Sequence, residues 1–420
     1  MVAAKLNAPA VIVSLQKLVI NNIMIMPQEK LAALVFIYFE LRINLMKIKD
    51  YYGQQSYTVS SDLVDVKIAI NGAQLTADFD IEGKKINPFY IAPWWNDADK
   101  LSLYNTCEYS LRGTFFCFPF GLSKEFKGLQ RPAHGFCSAR NWDYVSERSE
   151  NGINSIELSL NIPEENADLS QKVMVKDGQT VVYISTSVKG AVGRYPVGYH
   201  PTLRVPEELG SAIIDMSEYK ECWTSPTHID LPENAGYCSL KTDYKIEDET
   251  SVPTVYGKNV NLKRHPFIKG FDDIYMYVYD ESNEFNYAAV SIPKENYLYF
   301  QLKNPKQLSN SMFWSSYCGR HFPKWNSRVN GCLEVGAASN YFFYGITAAY
   351  ENDPLTEKGY KMYHEFDGSE QDFKLISGVV KIPHDYNGVK SIIRADKDTI
   401  CIIGRDGSEI FTKCNVDFLK

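Results

Sequence analysis

Only seven histidines occur in the chain, so each can be weighed for chemistry. His134 stands in Arg131-Pro132-Ala133-His134-Gly135-Phe136, with Trp142 eight residues on. His200 stands in Gly198-Tyr199-His200-Pro201, and Glu334 in the otherwise apolar stretch Gly331-Cys332-Leu333-Glu334-Val335. Asp272 and Asp273 follow Gly270-Phe271. A carboxylate and an imidazole brought together can take a proton from one oxygen and give one to another, each typically contributing about 10²–10⁴-fold to a rate. Each residue alone also has a plain reading. A histidine before Gly or Pro is commonly a turn residue, a lone carboxylate in an apolar run commonly faces solvent, and Asp272-Asp273 reads equally as a turn.

Other chemistries lose their support. The chain has no GxxxxGK[ST] phosphate loop, no GxGxxG, no HExxH and no GxSxG, so nucleotide-dependent, zinc-protease and α/β-hydrolase readings are not favoured. Nine cysteines, an odd number without a CxxC pair, argue against a disulfide framework or a zinc site and for free thiols. The net charge of −7 comes with no basic stripe, which argues against a nucleic-acid partner.

The elements that must carry these residues read as strands. Val64, Val66, Ile68 and Ile70 alternate with polar residues, Asn71-Gly72 follows, and Leu75, Ala77, Phe79 and Ile81 alternate again. Two period-2 runs around Asn-Gly predict a hairpin. Asp177-Gly178 and Asp406-Gly407 sit between similar runs. Leu298, Phe300 and Leu302 alternate as well. This density of strands, without a helical period beyond residue 46, predicts an all-β antiparallel sandwich. No 20–50-residue repeat points to a propeller or solenoid, and no Pro/Ser linker divides residues 46–420, which read as one sandwich domain.

Residues 1–45 are different. They hold no glycine and carry apolar runs such as Leu31–Glu40, interrupted by Gln16, Lys17, Asn21, Asn22 and Gln28, so no membrane span is expected. Three readings stay open for this extension: sequence upstream of a true start at Met46, a signal or anchor, or a docked helix. The first would place the protein in the cytoplasm, and the second would export or anchor it. The oligomeric state is not legible.

Taken in order, the segments RPAHGFCSARNWDYV, VGYHPTLRVP, KGFDDIYMYV and NGCLEVG resemble those of the aldose 1-epimerases. That family carries His-Gly followed by Trp, then His-Pro, then Gly-x-Asp, then a Glu on a late strand. Leu111-Arg112-Gly113 before TFFCFPFG looks like the family's arginine-bearing strand, and Trp314–Arg328 resembles a segment of a little-studied epimerase-like branch. The resemblance covers roughly residues 60 to 350 and implies a galactose mutarotase-like supersandwich acting on a sugar. It implies Glu334 as base and His200 as acid on opposite sides of the ring, with Arg112, His134, Asp272, Trp314 and Arg320 as substrate contacts and no cofactor or metal. Trp95, Phe136 and Trp325 are further candidates for an apolar face, although a tryptophan is commonly core. Arg320 and Arg328, eight apart, suggest either an acidic or phosphorylated sugar or ordinary ion pairs. The chain departs from the family in having Thr202-Leu203 after His-Pro, where aromatics are usual, and Val-Gly-Ala-Ala after Glu334. Residues 351–420 lie beyond the familiar pattern. The alternative of a non-catalytic carbohydrate-binding protein on the same fold remains open.

Overall fold

The computed structural model describes residues 48–351 and 353–420. The chain divides into two units, Met1–Asp50 and Tyr51–Lys420. The expectations for residues 1–45 lie outside the described residues. The unit Tyr51–Lys420 is built from antiparallel strands, as the period-2 runs predict. Val64–Ala69 and Leu75–Ile81 pair with Ile68 opposite Leu75 across the Asn71-Gly72 turn. Gly72 has a positive φ of 76°, and a Cβ there would lie 2.3 Å from the Ser138 carbonyl oxygen, so only glycine closes this turn against its neighbour. Asp177-Gly178 joins Ala167–Lys176 to Val181–Lys189, and Asp406-Gly407 joins Thr399–Gly404 to Glu409–Lys413.

A nine-stranded sheet runs in the order Arg264–His265, Ala212–Met216, Asn286–Ile292, Tyr297–Lys303, Gln371–Lys381, Val181–Lys189, Ala167–Lys176, Ile153–Ile162 and Asp143–Glu150. The segment beyond residue 350 is therefore integral, because Gln371–Lys381 is a central strand. Tyr297–Lys303 is buried at every position. One face carries Leu298, Phe300 and Leu302 into a core shared with Ile392, Ile400 and Ile402 of the three-stranded C-terminal sheet. The other face turns polar atoms to the facing sheet: Gln301 Nε2 donates to the Val335 carbonyl at 2.8 Å. Strands covered on both sides do not show hydrophobic-in, polar-out exposure.

The facing sheet carries the candidate residues. Labelled in chain order within this sheet, its strands are β1 (Phe116–Cys117), β2 (Val197–Tyr199), β3 (Thr202–Arg204), β4 (Tyr219–Thr224), β5 (Phe271–Tyr279), β6 (Asn310–Tyr317), β7 (Cys332–Val335) and β8 (Ala337–Ser339). Pairing runs β3-β7-β6-β5-β4 on one side, and β6-β8-β2-β1 on the other. Phe116 packs on Phe373 at 5.7 Å between ring centres, and Tyr199 donates its hydroxyl to the Phe373 carbonyl at 2.8 Å. These contacts clamp the two sheets face to face. The outer face of the β1–β8 sheet packs into a second core that includes Trp94, Phe115, Ile274, Met312, Trp314 and Trp325. None of the described helices is long and apolar enough to cross a membrane.

Candidate functional site

Strand register builds the floor of the site. Thr202 on β3 lies opposite Glu334 on β7, Glu334 opposite Trp314 on β6, and Trp314 opposite Ile274 on β5. Directly opposed residues project to the same face, so these four form one row across the sheet. His200 enters next to this row from the end of β2, its amide held by the Phe115 carbonyl at 2.9 Å. Its ring lies flat on Phe115, with centres 4.8 Å apart and planes at 13°. Nδ1 lies 3.1 Å from Thr202 Oγ1, and Nε2 lies 3.1 Å from Glu334 Oε2. The Thr202 hydroxyl also lies 3.4 Å from the His200 carbonyl, which can accept its proton. The threonine lone pair then accepts Nδ1–H, and Nε2 is left as the nitrogen that gains and loses a proton.

His134 arrives from a loop. It has a φ of 59° and is tied by its amide to the Gly121 carbonyl at 2.7 Å. A Cβ on Gly135 would sit 1.8 Å from the Phe118 carbonyl oxygen, which explains the glycine of the His-Gly pair. The His134 ring stands edge-on to His200, 4.7 Å away. His134 Nδ1 and Glu334 Oε1 are both buried and make no hydrogen bond to a described residue.

Burial sets the protonation of this cluster. It pushes the Glu334 carboxyl well above the usual carboxylate range. It depresses His200 well below the imidazole range, with His134 adding to the effect, and takes His134 down to about 3, with Arg320 adding to it. Desolvation disfavours whichever form is charged, so Glu334 and His200 rest as neutral acid and neutral imidazole sharing one transferable proton.

Above the row lies a cavity with an empty volume of about 550 Å³, lined by His134, His200, Glu334, Arg320, Trp314 and Trp325 among others. Arg320 lies over the Trp325 ring at 4.3 Å and the Trp314 ring at 5.1 Å. Its Nε donates to Asp230 Oδ2 at 2.7 Å and lies 3.4 Å from Asp272 Oδ2. Burial works against the guanidinium charge, but Asp230 and Asp272 outweigh it and hold its pKa above the ordinary value.

Five of the expected residues, His134, His200, Glu334, Trp314 and Arg320, thus converge on one cavity. Two others do not line it. Asp272 is fully buried beneath, where it accepts Trp314 Nε1 at 3.1 Å and the Gly319 amide at 3.0 Å. Burial lifts its carboxyl to about 6 against the pull of Arg320. It meets Trp314 and Arg320 and does not line the cavity. Its neighbour Asp273 points the other way, to the Ser239 and Leu240 amides at 2.7 and 2.8 Å. Arg112 is also turned away from the expected role. Its Nε, Nη1 and Nη2 donate to the carbonyls of Ser110, Tyr51 and Tyr52 at 2.8, 2.6 and 3.0 Å. Arg328 is held by Asp97 at 2.7 and 3.1 Å, which is the plain ion-pair reading. Phe136 lies under Arg140 and Trp95 against Tyr52, both apart from this cavity. Carboxylate and imidazole are neighbours rather than opposed across a ring.

Sequence reasoning passed over Thr202, Phe115, Leu122 and Glu108, all at or next to the cavity. Thr202 had a signal: two residues from His200 along an extended chain, its side chain returns to the same side. Glu108 sits in a one-turn 3-10 helix, Cys107–Tyr109, whose sequence carries no such period. Among the described residues no group of three or more His, Cys, Asp or Glu could hold a metal ion, and all nine cysteines are free.

The sequence matches no family model and no curated protein. Solved structures do match. A provisionally assigned mutarotase from Salmonella typhimurium aligns with a TM-score of 0.53 at 11% identity, over 80% of this chain and 93% of that one. A provisionally assigned aldose 1-epimerase from Klebsiella pneumoniae gives 0.53 at 12% identity, over 80% and 82%. A galactose mutarotase-like protein from Clostridium acetobutylicum gives 0.52 at 10% identity, over 80% and 98%. At these identities the likeness is one of fold.

Proposed function

We propose that this galactose mutarotase-like sandwich interconverts the α and β anomers of a sugar, with Glu334 and His200 as its acid–base pair. The observation that carries the reading is the 3.1 Å approach of His200 Nε2 to Glu334 Oε2 at the buried floor of the cavity. The anomeric hydroxyl and the ring oxygen are bonded to the same carbon, so two adjacent proton carriers suit them better than two opposed ones.

With a sugar bound, the ionised form of the pair does the chemistry. Glu334 takes the proton of the anomeric hydroxyl as His200 Nε2–H is given to the ring oxygen. The bond between C1 and the ring oxygen breaks and C1 becomes an aldehyde carbon. Rotation about C1–C2 exposes the other face, and reclosure returns both protons. The opened stage leaves Glu334 and His200 neutral, the state that burial favours. Thr202 positions the imidazole, Trp314 and Trp325 offer an apolar face, and His134 and Arg320 offer hydrogen bonds. The chemistry requires no cofactor.

The test is optical rotation of freshly dissolved α-sugars, over a panel of aldoses, with and without protein. Faster relaxation with protein is expected. Sugars that bind without any acceleration would return the chain to the carbohydrate-binding alternative.

A further inference from the structure

A second cleft opens beside the edge strand β3. It measures about 500 Å³ and is lined by Tyr51, Tyr52, Trp95, Arg204, Glu207 and Asn330 among others. Small-molecule sites commonly run to roughly 300–1,000 Å³. The cleft shares no described lining residue with the first cavity.

One wall is aromatic and set against local preference. Tyr52 and Gly53 both have positive φ, 48° and 67°. Such a turn favours Asn-Gly, and a bulky side chain rarely occupies its first position. The chain nevertheless places Tyr52 there, 45% exposed. Its ring stands edge to face with Tyr51 at 4.9 Å and with Trp95 at 5.1 Å. Asn87 braces the wall, its Nδ2 donating to the Tyr51 hydroxyl at 3.2 Å and to Asp78 Oδ1 at 3.1 Å. Trp95, a candidate for an apolar face by sequence, belongs to this cleft and not to the first cavity.

The other wall is polar, and part of it is unspent. Asn330 Oδ1 is buried and accepts no hydrogen bond from a described residue. The Glu207 carboxylate is exposed and pairs with no described residue. Arg204 gives Nη2 to Glu295 at 2.6 Å and keeps further N–H groups for another acceptor. Because Arg204 is already matched in charge and Glu207 is not, a phosphate or acid group would be poorly served here. An uncharged ligand fits both walls when it has hydroxyls that donate and accept and apolar C–H faces to lay on the rings. That description is of a saccharide.

We infer that this cleft binds a neutral saccharide at a site of its own, whether or not the first cavity interconverts anomers. Calorimetric titration of the full chain with maltotriose, cellotriose and triacetylchitotriose is the test, and at least one of them should bind. Tyr52→Asn removes the ring and gives the turn the residue its backbone favours, so the urea midpoint should hold or rise while the trisaccharide binds about 10-fold more weakly or worse. Glu207→Ala, at an exposed position, should weaken it several-fold. Arg320→Met, in the first cavity, should leave that Kd within a few-fold, and Tyr52→Asn should leave any acceleration of mutarotation unchanged. No heat with any of the three sugars, native affinity in both cleft variants, or loss of all binding in Arg320→Met would each overturn the inference. A trisaccharide held through Tyr52 by a chain that never accelerates mutarotation would uphold it and sink only the catalytic reading.

Discussion

Thr202→Val removes one atom's chemistry at nearly constant shape, and it isolates the positioning of His200. Valine keeps the β-branched form suited to β3 and the Thr202 amide bond to the Gly113 carbonyl at 2.8 Å. It deletes the hydroxyl that lies 3.1 Å from His200 Nδ1. In the neutral pair the loss is modest. When His200 carries the proton destined for the ring oxygen, Nδ1–H belongs to a cation, and hydrogen bonds to charged groups are worth about 1.5–3 kcal/mol. At about 1.4 kcal/mol per tenfold, the variant should turn over roughly 10- to 150-fold more slowly. KM should change little, because Thr202 is not among the residues that line the cavity. The imidazole loses support for its protonated form, so the acid limb of the pH–rate profile should move to lower pH. Polarimetry from pH 5 to 9 measures both effects. Thr202→Ser restores the hydroxyl and should recover most of the rate. A valine variant with full turnover and an unmoved profile, or a serine variant as slow as valine, would refute the positioning role.

Acid should destabilise the fold steeply. His134, His265 and His364 are buried with folded pKa values of about 3, so their contribution is present above the unfolded value near 6.5 and is lost as pH falls toward 3. Asp272, raised to about 6, has the opposite sign and regains stability as pH falls from about 6 to 3.8. His200, depressed, and Glu334, raised, offset one another in this range, so three protons against one leave about two taken up on unfolding, or about 2.7 kcal/mol per pH unit below pH 6. Urea midpoints between pH 7 and 5 measure the slope, and a flat profile would contradict it. Arg112→Met should lower the urea midpoint and leave sugar affinity unchanged, since its guanidinium serves carbonyls. Weakened binding at full stability would restore it to the ligand site. Arg320→Met should raise Kd, in calorimetry, more than it lowers kcat.

Sequence patterns were legible where they depended on the backbone. Asn71-Gly72 marked a real turn because its geometry admits little else. His134-Gly135 and His200-Pro201 were legible because each needs a special backbone, a positive φ with a close approach in the first case and the end of β2 in the second. What failed was the direction of long side chains. Arg112 and Arg320 look alike as sequence, and only packing turns one toward Tyr51 and the other over Trp325. Asp272 and Asp273 read as one turn, but as neighbours on β5 they face opposite sides. Thr202 read as a departure from a family pattern and is the partner of His200 Nδ1. Lys303 falls in phase with Gln301, where a polar face would meet solvent, yet it is buried with its amine at Ser311 Oγ, 3.0 Å away. The opposite face, with Leu298, Phe300 and Leu302, is covered by a third layer contributed by residues after 388, which no local pattern shows.

Proton-exchange NMR of the anomeric signals, run on an accepted sugar with native protein and with Glu334→Gln, tests the acid–base pair most directly. Glutamine keeps the size of Glu334 and a polar atom near His200 Nε2 but cannot accept the anomeric proton. Native protein should exchange the α and β signals far faster than buffer. The variant should lose about 10²-fold or more of that rate, the low end of what a positioned base contributes, while its Kd stays within a few-fold. A Glu334→Gln chain that exchanges the anomers at the native rate would contradict the assignment of the base, and a native chain that binds the sugar without exchanging it would contradict catalysis itself.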